Sequence, residues 1–294
     1  MSAPAQGELR RIVVEFAESR IAAAGMLVLV AIVLLAAFAP WMSPQDPYDL
    51  AVLDIMDSRL PPATTSGSGT TFWLGTDDQG RDILSAIFYG LRTSIVVAVT
   101  ATLLAVVIGM TLGLASGYVG GALDAVLMRI VDIQLSFPAV LIALILLAVL
   151  GQGVDKIILA LIAVQWAYYA RTMRGVALAE RNKEYMQAAM CLMLPGWRIV
   201  VRHLLPNCLP PLIVVATVQI AYAIALEATL SFLGLGMPIT QPSLGLLIAN
   251  GFNYLLSGKY WLSFFPGVAL VLTIVSINLV GDRLRDVLNP RLQR

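Results

Sequence analysis

Glu227 is an ionisable acid placed inside a long apolar run, 212–233. A carboxylate in such a place either serves a solute path or gate, or accepts a structural hydrogen bond from a neighbouring helix. Three other side chains could do chemistry within one short stretch: Cys191, His203 and Cys208. Their spacings match no zinc motif, so the cysteines read as small apolar residues and His203 as a helix-end or interface residue. Nucleophilic catalysis inside an apolar run would need a base there, and His203 lies outside every such run. Gly117-Tyr-Val-Gly-Gly121 lacks the lysine of a phosphate loop and reads as a turn. No cofactor or metal is expected in this chain. Work done by it must draw on ATP bound by another polypeptide, or on an ion gradient.

The elements that carry these residues follow from composition. Of 294 residues, 59% are apolar and 13% charged, against roughly 25% charged in soluble domains. Mean hydropathy of +0.84 is too high for a globule, which still needs a polar surface. A net charge of +1 offers nothing to grip nucleic acid. The composition is that of a polytopic helical membrane protein, in contact with lipid.

Crossing about 30 Å of hydrocarbon takes roughly 20 apolar helical residues. Runs at 21–41, 94–116, 157–170, 212–233 and 261–280 meet or approach that length. A sixth, 137–150, is short and is expected to extend back through the helical periodicity of 123–132. Ala37-Phe38-Ala39 has the form of a signal cleavage site. The long apolar run, the glutamates Glu8, Glu15 and Glu18 before it, and Pro40 after it favour a retained helix.

Of the 19 lysines and arginines, only Arg59, Arg81, Arg92, Lys156 and Lys259 fall on one side of the spans, which places both termini inside. The expected organisation is an inner segment 1–20, a first span 21–41, an outer segment 42–93, a five-helix core 94–281 containing the inner loop 171–209, and a tail 282–294. The outer segment carries a flexible Thr64-Thr-Ser-Gly-Ser-Gly-Thr-Thr stretch.

In the inner loop, Pro195-Gly196 is expected to separate two short helices. Tyr185, Ala188, Ala189 and Leu192 fall at i, i+3, i+4 and i+7 and form an apolar stripe. Arg198 and Arg202 stack one turn apart and repel unless an acid faces them. Such a loop suits a lipid surface or a groove of a protein partner, and the small Ala188 and Ala189 favour the protein. At the inner mouth Arg129 and Asp132, three residues apart, are expected to neutralise each other. Asp282, Arg283, Arg285 and Asp286 read as a stop signal and subunit contact. No convergent set of polar residues marks a small-molecule pocket.

Glu184-x-x-x-Ala188-Ala189 followed by Arg202-His203-x-Leu-Pro206-Asn207 resembles the signature loop of permease subunits of ABC importers, in the form used by the peptide and nickel permeases. The similarity extends over nearly the whole chain. It includes Trp73-Leu-Gly-Thr-Asp77-Asp-Gln-Gly80-Arg81-Asp82, Tyr89-Gly90-Leu-Arg92-Thr-Ser94, Leu135-Ser-Phe-Pro138, Glu227-Ala-Thr-Leu-Ser231-Phe-Leu-Gly234-Leu-Gly236 and Gly281-Asp282-x-Leu-Arg285-Asp286-x-Leu-x-Pro290-Arg291. The long outer segment is usual in the second permease of the family's pair.

The resemblance implies an all-α type I importer permease fold in the bacterial inner membrane. It implies partners as well: a homologous second permease, two ATPase subunits and an extracytoplasmic solute-binding protein. Glu184, Ala188, Ala189, Met193, Arg198, Arg202, His203 and Pro206 are the residues expected to couple to the ATPase. Two family positions differ, because Met190 replaces an arginine and Met193 a glycine, leaving Leu194-Pro195-Gly196 to supply the bend; Leu244 also replaces a tryptophan. The rival from another class, an ion-driven carrier acting alone, predicts inverted repeats and several buried acids, and neither is evident.

Overall fold

The computed structural model describes residues 11, 14–49, 53–67 and 69–288. Glu8, Arg10, Arg291 and Arg294 of the charge pattern, and Pro290 of the C-terminal motif, lie outside the described residues. Among the described residues the helices are α1 (Arg20–Ala37), α2 (Ala39–Met42), α3 (Ile83–Val119), α4 (Gly121–Ser136), α5 (Ala139–Leu150), α6 (Val154–Arg181), α7 (Glu184–Cys191), α8 (Gly196–Phe232), α9 (Leu244–Phe252) and α10 (Trp261–Leu288). By length and apolarity α1, α3, α8 and α10 could each cross a membrane, and α4 with α5 could make a fifth span. The expected fourth span, α6, is 28 residues long but less apolar. Its polar Gln165 and Tyr169 are wholly enclosed by neighbouring helices, so it has less need of a lipid-compatible surface.

Several boundaries differ from expectation. The third run is two helices bent by 90°, not one continuous span. Pro138 disfavours helical geometry at the residue before it, and Phe137 is extended at φ −93° and ψ 143°. The helix α3 starts eleven positions before Ser94, capped by the Asp82 side chain. The helix α6 continues past Ala170 to Arg181. Beyond Pro195 there is no second short helix, since Gly196 begins the 37-residue α8, which carries a π turn at Val200–Leu204. That turn ends two residues before Pro206, which has no N–H to give to the regular ladder.

The centre of the bundle is the pairing of α3 with α6, whose close approach depends on three glycines. Gly109, Gly113 and Gly117 repeat every fourth residue on one face of α3. A Cβ on them would lie 2.5 Å from the Trp166 carbonyl, 2.3 Å from the Ala170 carbonyl and 2.7 Å from the Ala177 Cβ. Small residues on facing stripes let helices touch backbone to backbone, the usual way apolar helices adhere where lipid removes the hydrophobic drive.

The bundle has distinct packed regions. Ala105, Tyr169, Met173, Leu204 and Cys208 form one at the end carrying α7. Val97, Ala101, Leu161, Ile224 and Leu230 fill the middle. At the far end, Ile83, Ile87, Leu244 and Trp261 join the starts of α3, α9 and α10.

The segment before α3 is folded as well. The stretch expected to be flexible contains a hairpin of β1 (Thr64–Thr65) and β2 (Thr71–Phe72), with Thr64 opposite Phe72. β-Branched threonines favour that geometry, and Gly69 at φ +87° supplies the turn. The Asp77 carboxylate accepts from the amides of Gln79 (2.8 Å) and Arg81 (2.9 Å). Arg81 is buried, with its guanidinium against the Ile239 carbonyl at 3.3 Å. Burial pushes the Asp77 carboxyl up to about 6.

Candidate coupling surface, buried acid and cleft

The α6–α7 corner is fixed by one carboxylate. Glu180 accepts from the Lys183 ammonium (2.6 Å) and from the Tyr185 hydroxyl (2.7 Å). Burial, with the Glu180 charge beside it, raises the Tyr185 hydroxyl above its usual range, so it stays a neutral donor. From this corner α7 turns Met186 and Ala189 into the region around Tyr169, Met173 and Leu204. Met186 is fully buried, a contribution of about 1.5–3 kcal/mol to holding α7 on the bundle.

The rest of α7 faces outward. Glu184, Gln187, Ala188 and Cys191 are exposed, as are Leu192 (73%) and Met193 (90%) just past its end. The expected stripe of Tyr185, Ala188, Ala189 and Leu192 is therefore split: Ala189 is inside, Ala188 and Leu192 outside. Neighbouring positions of a helix differ by 100°, and Met186 takes the inner place that the sequence pattern gave to Ala188.

The bend after α7 is made by Met193 itself, at φ +53°, and not by Leu194-Pro195-Gly196. This left-handed conformation is one that glycine adopts freely and other residues at a cost. Past the bend, Trp197 (72% exposed), Arg198, Val201, Arg202 and Pro206 extend the same surface. Arg198 and Arg202 form no ion pair among the described residues, and His203 is half-buried. Of the residues expected to couple, Glu184, Ala188, Met193, Arg198, Arg202 and Pro206 thus share one exposed end, while Ala189 and His203 turn inward. Trp197 was missed by the sequence reasoning, although a tryptophan beside Arg198, just past the Pro195-Gly196 break, is a signal that could have found it.

Two ion pairs tie α4 to α6 beside this surface. Arg174 holds Asp124 through Nε (3.0 Å) and Nη2 (2.7 Å), and Ser116 donates to the same carboxylate at 2.5 Å. Asp132 pairs with Arg171 and not with Arg129, which is exposed. Helix-to-helix proximity supplies a closer cation than the residue three positions back.

Glu227 is wholly enclosed. Its carboxylate accepts hydroxyl hydrogen bonds from Ser94 of α3 (2.7 Å) and from Ser231 one turn on (2.8 Å). Gly245 of α9 packs against the backbone of Ala228, where a Cβ would lie 2.2 Å from the carbonyl oxygen. The acid therefore faces no open space in this arrangement. Cys191 is exposed and Cys208 buried, and the described residues bring no three His, Cys, Asp or Glu side chains together as a metal site would need.

A cleft of about 660 Å³ opens between α6, α8 and α10, lined by both apolar and polar side chains. The sequence offered no such pocket, because its residues come from three helices far apart in the chain.

The chain matches the family of binding-protein-dependent transport system inner membrane components over residues 105–294. Residues 8–62 match the N-terminal transmembrane domain of oligopeptide transport permease C. The probable D,D-dipeptide transport system permease protein DdpC of Escherichia coli (strain K12) is 38% identical over 265 residues, which cover 90% of this chain and 86% of that protein. The dipeptide transport system permease protein DppC of Bacillus subtilis (strain 168) is 35% identical, with 94% of this chain and 84% of that one covered. Among solved structures, an inward-facing conformation of the MetNI methionine ABC transporter superposes with a TM-score of 0.57 at 20% identity, covering 69% of this chain and 96% of that one. That likeness is one of fold.

Proposed function

This chain belongs to the binding-protein-dependent inner-membrane transport components, and on that premise we propose that it forms half of the passage of an ATP-driven importer for peptides or peptide-like solutes. The relatives it matches over most of their length are named as dipeptide and oligopeptide permeases. The observation that carries the mechanism is the structure of α7: one face is sealed into the bundle by Met186 and Ala189, and the other is bare. A helix anchored this way transmits force. Glu184, Ala188 and Met193 would seat in an ATPase subunit, with Trp197, Arg198, Arg202 and Pro206 at the rim. Closure of the ATPases on ATP would push α7, and through the packed Met186 would move α6 and α8 as a unit.

In this proposal ATP hydrolysis lies in two partner subunits, a homologous second permease completes the passage, and an extracytoplasmic binding protein delivers the solute. The topology would be six spans, namely α1, α3, the bent pair α4–α5, α6, α8 and α10, with both termini on the cytoplasmic side with α7. The Glu227–Ser94 contact would hold the outer ends of α3 and α8 together while the inner ends move. Reconstitution of the chain with the second permease, ATPases and binding protein in proteoliposomes tests the proposal. ATP-dependent uptake of a defined mixture of di- to pentapeptides is expected. Uptake by this chain alone, driven by an ion gradient without ATP, would establish the carrier alternative instead.

A further inference from the structure

At the wall of the cleft between α6, α8 and α10 stands a polar side chain whose enclosed nitrogen has no partner. Gln219 is 8% exposed and lines the cleft, and its Nε2 has no hydrogen-bond partner. An unpaired buried amide is costly, and inside a membrane such a group marks a path or a polar ligand. The backbone around it is held firmly. Thr102 of α3 donates to Gln165 Oε1 (3.2 Å), and Gln165 Nε2 donates to the Gln219 carbonyl (3.1 Å). The main chain is satisfied, and only the side-chain amide is left over.

The walls fit an extended solute with both apolar and amide surface. Val214 and Val218 of α8 supply the apolar floor, and Tyr168 of α6, 39% exposed, adds a hydroxyl. Close contact of Gly281 with Thr217, where a Cβ would lie 2.8 Å from Oγ1, sets α10 directly on α8 as the second wall. Asp282 and Arg285 stand exposed at the mouth without an ion pair among the described residues. They offer opposite charges to the two ends of a zwitterion. Gln219 lies about 13 Å deeper along α8 than Pro210 at the mouth. The volume falls within the roughly 300–1,000 Å³ of small-molecule sites.

We propose that this cleft carries the transported peptide through the half of the membrane nearest α7, with the Gln219 side chain turning its enclosed amide into the cleft to donate to a peptide carbonyl. It rests on the peptide-importer function proposed above and adds the residues that touch the cargo. Asp282 and Arg285 then act at the exit as well as ending the span.

The complete reconstituted transporter provides the test, with the same di- to pentapeptide mixture as cargo. Gln219→Leu is expected to cut ATP-dependent uptake at least fivefold while subunit composition and ATPase stimulation by the loaded binding protein stay as in the wild type. A benzophenone-bearing tripeptide, delivered by the binding protein during turnover of the wild-type complex, is expected to label the Val214–Val218 stretch of α8. This second measurement decides the matter if the leucine variant fails to assemble. Unchanged uptake by Gln219→Leu, or photolabelling confined to other helices, would overturn the cleft assignment while leaving the importer function intact. A wild-type complex that moves no peptide at all would overturn both.

Discussion

Ser94 of α3 donates its hydroxyl to the Glu227 carboxylate of α8 across 2.7 Å, in a position closed to solvent. The two residues are 133 positions apart in sequence, and the contact fastens one end of the helical bundle. With Ser231 on the other oxygen, both acceptors of Glu227 are engaged. Glu227→Gln keeps a carbonyl acceptor and the side-chain shape, whereas Glu227→Leu strands the buried hydroxyls that donate to it, each at about 1–3 kcal/mol. Thermal unfolding of the purified protein in detergent should show a small shift for the glutamine variant and a loss of several degrees for the leucine variant. Equal behaviour of the two would deny the acid a hydrogen-bonding role.

Met193 sits at φ +53° with its side chain 90% exposed. Glycine there relieves a backbone cost of about 1 kcal/mol without removing a packed group. Met193→Gly should therefore raise the unfolding temperature by a few degrees, and Met193→Val should lower it, because a β-branched residue tolerates this region least. Differential scanning of the three proteins checks the order Gly above Met above Val.

The inner loop shows what could and could not be read from sequence. Its position was legible, because Pro195-Gly196 breaks the helical pattern and the charged residues from Arg171 to Arg202 interrupt the apolar runs. Which face of α7 is buried was not. Tyr185, Met186, Ala188, Ala189 and Met190 are apolar around most of an eight-residue helix, so periodicity admits two faces. The same limit applied to Asp132: its neighbour three residues away was visible, but Arg171 becomes its partner only when α4 lies across α6. The polar α6 was underestimated in length, since its last turns pack through Met173 and Ala177 on glycines of α3 that carry no apolar signal. The bend at Phe137-Pro138 and the capped start of α3 at Asp82 were written in local residues and were open to a stricter reading.

The three glycines of α3 yield a third prediction. Gly113→Ala places a methyl carbon 2.3 Å from the Ala170 carbonyl oxygen. The helices must separate or the backbone must shift, at about 1–3 kcal/mol. Gly175→Ala on α6 meets nothing within 4 Å and should be neutral or slightly stabilising. Comparing melting temperatures of the two variants measures the cost of close approach directly.

Asp77 gives a pH dependence whose sign follows from burial. Its carboxyl is held up at about 6 in the folded chain, against about 3.9 when unfolded. Between those values the folded chain binds more protons than the unfolded one. The Asp77 contribution is therefore fullest below pH 4, falls by an amount on the order of 3 kcal/mol as pH rises to about 6, and levels off above it. Asp77→Asn keeps the acceptor for the Gln79 and Arg81 amides and removes the titration. Melting temperatures taken from pH 4.5 to 7.5 should fall more steeply for the wild type than for the variant, and parallel curves would contradict the assignment.

The central claim is that the bare face of α7 receives an ATPase subunit. Ala188→Arg adds a long cation to that face without touching the buried Met186 and Ala189. The decisive measurement is the subunit composition of the tagged complex after purification. The account predicts that the variant inserts, folds and keeps its second permease while the ATPase subunits are lost. Recovery of the full complex, ATPases included and stimulated by the loaded binding protein as in the wild type, would contradict it.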